Sequence, residues 1–157
     1  MQKEVTVRRL TADDLELAVE VRLTALKDSP TAFLSTYEDA VERTDEQWHG
    51  WITVVAVFGA FLDGKPVGMV GAGRDELEPD VTELISMWVA PEARGNRIAQ
   101  RLTDAVVARA RELGDKAVHL EVVAGNDAAE AAYLRYGFAH VPNRKPTQRD
   151  RSMWLDL

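Results

Sequence analysis

Val89-Ala-Pro-Glu-Ala-Arg-Gly-Asn-Arg-Ile-Ala99 is the stretch that decides the fold of this chain. It follows a short apolar run, Leu84 to Val89, that predicts a β-strand, and it leads into a long amphipathic helical pattern. The first turn of a helix has backbone N–H groups without partners in the helix, and the helix dipole places partial positive charge there. The loop Arg94-Gly95-Asn96 between strand and helix therefore predicts an anion cradle, whose usual guest is a phosphate or pyrophosphate.

The length and composition of the chain predict one globular domain. A chain of 157 residues can bury a core, and 46% hydrophobic with 29% charged residues is ordinary for such a domain. The absence of cysteine excludes disulfides, thiolate catalysis and cysteine-ligated zinc, and it agrees with a reducing cytosol. The N-terminus has no secretory h-region, and the longest apolar run, 51–62, is too short to cross a bilayer. We therefore expect a single cytoplasmic domain over 1–157 with no membrane segment.

The net charge of -7 is spread unevenly along the chain. Residues 1–90 hold 8 basic and 17 acidic side chains, whereas residues 91–157 hold 11 basic and 9 acidic ones. This asymmetry fits a second half that takes a polyanion and a first half that takes a cation, or it reflects a solvated acidic surface without function. We expect no nucleic-acid partner, because the basic residues form only local clusters. We also expect no metal, since His49, His119 and His140 lie far apart without ligand spacing.

Hydrophobic periodicity predicts the element order β-α-α-β-β-β-α-β-α-β-β. Thr11 with Asp14 and Thr44 with Gln47 have the pattern of helix caps, and Asp63-Gly64 predicts a hairpin turn. Early hairpins followed by β-α-β units predict a mixed α/β sheet with helices on its faces. The predicted strands include 5–10, 54–62, 67–72, 82–89, 117–123, 138–141 and 152–157, and the predicted helices include a long one from about Ala93 to Leu113 and one that ends at Tyr136.

Two blocks in this order resemble a known family. The first is Arg94-Gly95-Asn96-Arg97-Ile98-Ala99 after a strand that ends at Trp88-Val89. The second is Leu120-Glu121-Val122, then Asn126, then Tyr133, then Gly137-Phe138. Both blocks, together with Ala32-Phe33 after Ser29-Pro30, resemble the GNAT superfamily of N-acetyltransferases.

The resemblance covers nearly the whole chain and implies both a fold and an activity. The implied fold is the GNAT-like acyl-CoA N-acyltransferase fold, with a central, mostly antiparallel sheet of about seven strands and about four helices. The implied activity is transfer of an acetyl group from acetyl-CoA to a primary amine by direct attack in a ternary complex. Two alternatives stay open: a non-catalytic acetyl-CoA-binding or sensing module on the same fold, and an acetyltransferase of protein N-termini instead of small molecules.

The resemblance also implies where acetyl-CoA would bind. The strand backbone of Met87, Trp88 and Val89 should hold the pantetheine arm where the sheet is expected to splay, and Asn126 should contact the same arm or cap a helix. Arg97 departs from the family pattern, which has glycine there, and we expect its side chain to contact a coenzyme A phosphate. The implied phosphate-binding residues are Arg94, Gly95, Asn96, Arg97, Ile98, Ala99 and Gln100.

Three residues carry the implied chemistry. Tyr133 matches the family tyrosine that often donates a proton to the departing coenzyme A thiolate, or it packs on the sheet without a catalytic role. The amine must lose a proton, and Glu121 is favoured as the base over Glu83 on the preceding strand.

The acceptor is expected between the segment after the first helix and the later loops. One side would comprise Phe33, Ser35, Tyr37, Glu38 and Asp39, and the loop Asn143 to Arg149 would lie on the other. The acidic residues favour a cationic small-molecule amine, the basic loop weakens that preference, and a peptide N-terminus stays open as acceptor. Many members of the family dimerise, so a homodimer is possible, and nothing in the sequence decides it.

Overall fold

In the computed structural model, residues 4–33, 35–144 and 150–157 are described, and they form one seven-stranded sheet with helices packed against it. The strand order is β1-β2-β3-β4-β5-β7-β6, and only the β4–β5 pair is parallel. The strands are β1 (Val5–Leu10), β2 (Ala56–Leu62), β3 (Lys65–Arg74), β4 (Val81–Val89), β5 (Ala117–Val122), β6 (Ala139–His140) and β7 (Arg151–Asp156). The helices are α1 (Leu15–Asp28), α2 (Tyr37–Val41), α3 (Asp45–Val54), α4 (Ile98–Glu112) and α5 (Asp127–Tyr136).

This architecture confirms the predicted mostly antiparallel, seven-stranded α/β sheet. The described residues contain five α-helices instead of about four, and the additional one is α2. The Thr36 hydroxyl caps it by accepting a hydrogen bond from the Asp39 N–H at 3.1 Å. A helix of five residues is too short to produce a hydrophobic period, which is why the sequence pattern does not indicate it.

The predicted helix caps are confirmed. The Gln47 N–H donates to the Thr44 hydroxyl at 3.1 Å, and the Thr44 N–H donates to the Gln47 side chain at 2.9 Å, so α3 begins with a complete capping box. The Thr11 N–H donates to Asp14 Oδ2 at 3.0 Å across a 3-10 turn, Ala12–Asp14, that leads into α1. The following strand β2 starts at Ala56 instead of Val54, because α3 continues through Val54.

The long helix α4 starts later than predicted. Pro91–Ala93 form a 3-10 turn, and α4 begins at Ile98 instead of about Ala93. Gly95 has φ 89° and Arg97 has φ 58°, and a helix cannot run through two residues in the left-handed region. The loop Arg94 to Arg97 is therefore an open turn in front of the helix, which leaves the first N–H groups of α4 without partners in the helix.

The core lies between the sheet and the helices α1 and α4. Ile98, Leu102 and Val106 of α4 are each at most 2% exposed. Strand β3 is buried continuously from Val67 to Gly73, because α1 and α4 both pack against it. At Gly68 a Cβ atom would lie 2.8 Å from the backbone oxygen of Trp88, so the close approach of β3 and β4 requires glycine. Of the helices in the described ranges, none has the length and apolarity needed to cross a membrane.

Candidate active site

Two cavities meet where β4 and β5 separate. The first, which we call the strand cavity, has a volume of about 340 Å³. The second, the helix groove, has a volume of about 680 Å³ and runs along the N-terminus of α4 and the face of α5. Three residues line both: Met87, Ala129 and Tyr133. The strand cavity is lined by Arg22, Phe33, Ser35, Glu83, Ser86, Glu121, Asn126 and Asp150 among others, and the helix groove by Val89, Arg94, Gly95, Arg97, Ile98, Ala99, Gln100, Thr103, Arg135 and Tyr136 among others.

The expected splay of the sheet is confirmed. Strands β4 and β5 pair only at three positions, the last of which joins Glu83 to His119. Beyond it, β4 continues to Val89 without pairing to β5, so its backbone groups on that side face the two cavities. Ser86 adopts φ 59° where the register of β4 against β3 shifts, which marks a bulge at the point of separation.

The predicted anion cradle comprises the loop Arg94 to Arg97 and the N-terminus of α4. Arg97 is the N-cap residue of α4, and its left-handed φ of 58° is a conformation that glycine adopts without steric cost. Arg97 and Arg94 both line the helix groove. The Arg94 guanidinium is already partly engaged, because its Nε donates to the Val89 carbonyl oxygen at 3.2 Å and its Nη2 lies 3.9 Å from Asp28 Oδ2. The predicted cradle therefore comprises two arginines beside the first N–H groups of α4. The sequence also predicts that the charge of Arg101 supports the cradle, but Arg101 does not line the helix groove, and its guanidinium donates instead to the Val5 carbonyl oxygen.

Two of the predicted cofactor residues use their side chains elsewhere. The Asn96 amide donates to the Ala93 carbonyl oxygen at 2.8 Å and so holds the turn in front of α4. The Trp88 ring is buried, and its N–H donates to Asp28 Oδ2 at 3.0 Å on the last turn of α1. Neither residue lines the helix groove. Asn126 lines the strand cavity instead, and its side chain accepts a hydrogen bond from the Ala129 N–H at 3.3 Å as the cap of α5.

Tyr133 occupies the junction of the two cavities. Its ring packs edge-on against Phe138, with 5.6 Å between ring centroids. Burial raises the pKa of the Tyr133 phenol, so the hydroxyl keeps its proton throughout the neutral range. Within the described residues its hydroxyl has no hydrogen-bond partner, which leaves the proton available to a ligand.

The two predicted carboxylates lie on neighbouring strands at the point of separation. Glu83 of β4 and Glu121 of β5 both line the strand cavity. Behind them His119 is 3% exposed, and its Nδ1 lies 2.9 Å from Asp75 Oδ1. Arg144 donates to the same Asp75 oxygen at 2.6 Å and to Glu78 at 2.8 Å. A buried ionic cluster therefore packs beside the last position at which β4 and β5 are still paired.

The predicted acceptor residues are only partly brought together. Phe33 and Ser35 line the strand cavity, whereas Tyr37 and Glu38 begin α2 and line neither cavity. The Tyr37 ring instead lies 5.8 Å from Lys27 Nζ. Of the predicted loop Asn143 to Arg149, residues 145–149 lie outside the described residues, and Asp150 just after it lines the strand cavity.

Several residues that line the two cavities were not predicted from the sequence. Arg22 fell on the apolar spacing of the first helix, where a charged residue is unusual enough to have served as a signal. Tyr136 and Arg135 lie on the helix of Tyr133, and the Tyr136 hydroxyl donates to Asp104 at 2.6 Å, which ties α5 to α4. Among the described residues, no group of three or more His, Asp or Glu is arranged to hold a metal ion.

Comparison with known proteins gives consistent matches. A family model described as the acetyltransferase (GNAT) family matches residues 22–138. The uncharacterized N-acetyltransferase YjgM of Escherichia coli is 38% identical over 82 residues, which are 50% of this chain and 48% of that protein. The mycothiol acetyltransferase of Sanguibacter keddieii is 32% identical over 130 residues, which are 78% of this chain and 38% of that protein. The chain spans between 36% and 61% of the lengths of the curated relatives it matches.

A solved structure has the same fold. The crystal structure of the PaiA N-acetyltransferase from Thermoplasma acidophilum, in complex with coenzyme A, aligns with 98% of this chain and 99% of that chain. The TM-score is 0.69 at 18% sequence identity, so the likeness is one of fold.

Proposed function

Because the chain belongs to the GNAT family of acetyltransferases, we propose that it transfers an acetyl group from acetyl-CoA to a primary amine by direct attack in a ternary complex. The observation that carries the proposal is the junction of the helix groove and the strand cavity at Met87 and Tyr133. A donor in one cavity and an acceptor in the other would meet beside the partly buried, protonated phenol of Tyr133. The proposal treats residues 1–157 as a single acetyltransferase domain.

Coenzyme A is proposed to occupy the helix groove. Its pyrophosphate would accept hydrogen bonds from the first N–H groups of α4 and from the guanidinium groups of Arg94 and Arg97. Its pantetheine arm would pair with the backbone of β4 from Met87 to Val89, where β4 no longer pairs with β5. The coenzyme A complex of the Thermoplasma protein supports this choice of ligand for the fold. Asn96 contributes by holding the loop, since its side chain bonds to Ala93.

The proposed reaction proceeds by attack of the neutral amine nitrogen on the thioester carbonyl carbon. The carbonyl oxygen becomes an oxyanion, which a backbone N–H of the splayed β4 would stabilise. The carbon–sulfur bond then breaks, and the thiolate takes the proton of the Tyr133 hydroxyl. Burial raises the pKa of Tyr133, so this residue enters the reaction as the protonated phenol.

The proton that leaves the amine is proposed to pass to Glu121, directly or through water, with Glu83 as the rival base. Both carboxylates line the strand cavity, in which the acceptor would lie. Phe33 and Ser35 would contact the acceptor, and Tyr37 and Glu38 would reach only an acceptor that extends beyond the cavity.

The experiment that tests the proposal measures thiol release from acetyl-CoA with a panel of polyamines, amino acids, aminoglycosides and short peptides. Acceptor-dependent release, with the acetylated product identified by mass spectrometry, would support the proposal. Binding of acetyl-CoA by calorimetry without release for any acceptor would instead support the non-catalytic binding module. Failure to bind acetyl-CoA at all would contradict both.

A further inference from the structure

Arg22 is a buried cation without a counter-ion at the wall of the strand cavity. It lies on α1 and is 6% exposed. Its Nη1 atom is fully buried and has no hydrogen-bond partner, and within the described residues no carboxylate forms an ion pair with it. Arg144, the arginine of the buried ionic cluster, is by contrast bonded to two carboxylates.

This arrangement is unfavourable for the empty protein. A buried charge is normally paired, because removal of its hydration is costly. Burial, together with a smaller effect from the charge of Arg43, lowers the pKa of Arg22 to about 10. The guanidinium is therefore still charged at neutral pH. The Phe33 ring, 4.7 Å from the guanidinium carbon, compensates in part, but it does not satisfy the N–H groups.

We infer that Arg22 binds a carboxylate of the acceptor, so that the substrates of this site are small amino carboxylates. The inference rests on the proposed acetyl transfer and adds the substrate class. Arg22, Phe33 and Ser35 line the cavity from the α1–α2 segment, and Glu83 and Glu121 line it from the strands beside the junction with the helix groove. A molecule that places its amine near the Glu121 carboxylate and its own carboxylate on the Arg22 guanidinium would complement both charged groups.

The same lining argues against a phosphorylated amine. Arg22 lines the strand cavity, and its single guanidinium would neutralise a carboxylate but only half of the charge of a phosphate dianion. A volume of about 340 Å³ also limits the acceptor to a small molecule or a short peptide.

The test compares each of the twenty free α-amino acids, and a set of dipeptides, with the corresponding C-terminal amide. In the wild type we expect kcat/KM for the best acceptor to exceed that of its amide by about 10- to 100-fold, because the amide cannot neutralise Arg22. In Arg22→Gln this ratio should fall towards one. Amidation also changes the pKa of the amine, but this effect is the same in both proteins and cancels in the comparison. The same assay also measures kcat/KM for an amino phosphate, such as phosphoethanolamine, as the acceptor.

Arg43→Gln is the matched control. Arg43 also lies over an aromatic ring, with 4.7 Å between its guanidinium carbon and the Trp48 ring, and it lines neither cavity. Its acid-to-amide ratio should stay close to that of the wild type, because the charge of Arg43 acts on Arg22 only through space and Arg43 does not contact the cavity. Equal rates for acids and amides in the wild type, a ratio that persists in Arg22→Gln, or a preference for the amino phosphate would each overturn the inference.

A second measurement does not depend on turnover. Removal of an unpaired buried charge should raise the thermal midpoint of the ligand-free Arg22→Met variant by about 2 to 4 °C, while amino carboxylates cease to stabilise it. If no amine supports thiol release, the proposed function fails separately. Calorimetric binding of an amino carboxylate to the wild type, absent in Arg22→Met, would then still support the carboxylate site, and no binding to either protein would overturn it.

Discussion

Glu83 on β4 and His119 on β5 form the last residue pair of the parallel ladder before the two strands separate. On one side of this pair lies the buried cluster of His119, Asp75 and Arg144. On the other side the strands diverge, and Glu83 and Glu121 line the strand cavity. Glu83 and Glu121 also line a small pocket with His119, Asp75 and Arg144, so the structural and the proposed catalytic ionisable groups are adjacent and interact electrostatically.

Tyr133→Phe should lower kcat by about 100-fold or more, because it removes the proposed proton donor to the thiolate. The ring contact with Phe138 is retained, so the midpoint of thermal unfolding and the affinity for acetyl-CoA should be close to those of the wild type. The measurement is steady-state thiol release with the best acceptor. Tyr136→Phe on the same helix is the control: it loses the hydrogen bond to Asp104 and should lose stability but little of kcat. Equal losses of kcat in both variants would contradict the role of Tyr133.

Glu121→Gln should lower kcat/KM by about 100-fold, because an amide of the same shape cannot accept the amine proton. Glu83→Gln is the matched variant on the neighbouring strand and should retain most of the wild-type kcat/KM. The check is steady-state thiol release by each variant with the best acceptor. The reverse outcome would assign the base to Glu83, and wild-type rates in both variants would exclude both carboxylates.

Arg97→Ala and Arg97→Gly should both weaken coenzyme A binding, by about 10-fold, because each removes one charged contact to phosphate. They should differ in stability: glycine accepts the left-handed φ of 58°, so Arg97→Gly should be about 1 kcal/mol more stable to urea than Arg97→Ala. Calorimetry with coenzyme A measures the first effect. Arg111→Ala, an exposed change in the last turn of α4, should leave the affinity unchanged. Equal affinities of all variants and the wild type would remove Arg97 from the proposed phosphate site.

The free energy of unfolding should fall as the pH drops below 6.5, and His119 should be one cause. Burial lowers the pKa of His119, and Arg144 lowers it further, against the opposing effect of Asp75. A histidine with a lowered pKa in the folded state binds its proton first in the unfolded state. The contribution of neutral His119 to the free energy of unfolding is therefore complete above pH 6.5. It is lost as the pH falls, by at most about 1.4 kcal/mol per pH unit.

Urea titrations at a series of pH values check this dependence. His119→Gln should flatten the slope between pH 6.5 and 5, at roughly constant ionic strength. His49→Gln, at an exposed position on α3, should keep the wild-type slope. A slope that persists in His119→Gln would assign the proton uptake to other groups.

Gly68→Ala should destabilise the protein by about 1 to 3 kcal/mol, because the new Cβ would lie 2.8 Å from the Trp88 backbone oxygen. Gly50→Ala in the interior of α3, where no atom lies within 4 Å of the new Cβ, should stabilise it by about 0.5 to 1 kcal/mol. Chemical denaturation of both variants measures the difference. A neutral Gly68→Ala would mean that β3 and β4 can move apart without cost.

Much of the fold and of the local geometry at the proposed cofactor site could be predicted from local signals. The capping pattern of Thr44 and Gln47, the Asp63-Gly64 turn and the Arg94 to Ala99 loop each depend on residues close in sequence, so their geometry follows from backbone preferences and short-range hydrogen bonds. The start of the following helix was predicted a few residues too early. Arg97 adopts a left-handed φ, which the sequence alone does not reveal and which delays the helix.

The identities of the lining residues were decided by contacts between distant segments. The hydrophobic spacing of α1 placed Arg22 on its inner face, but only the packing of α1 beside β4 and β5 makes it a buried charge at a cavity. The separation of β4 from β5 after Glu83 likewise depends on strands more than 30 residues apart in sequence. Local sequence thus determined the helices, the strands and the turn before α4, because these follow from short-range backbone energetics. Tertiary structure alone decided which charges are desolvated and which cavities meet, because burial and strand separation are properties of the packed chain.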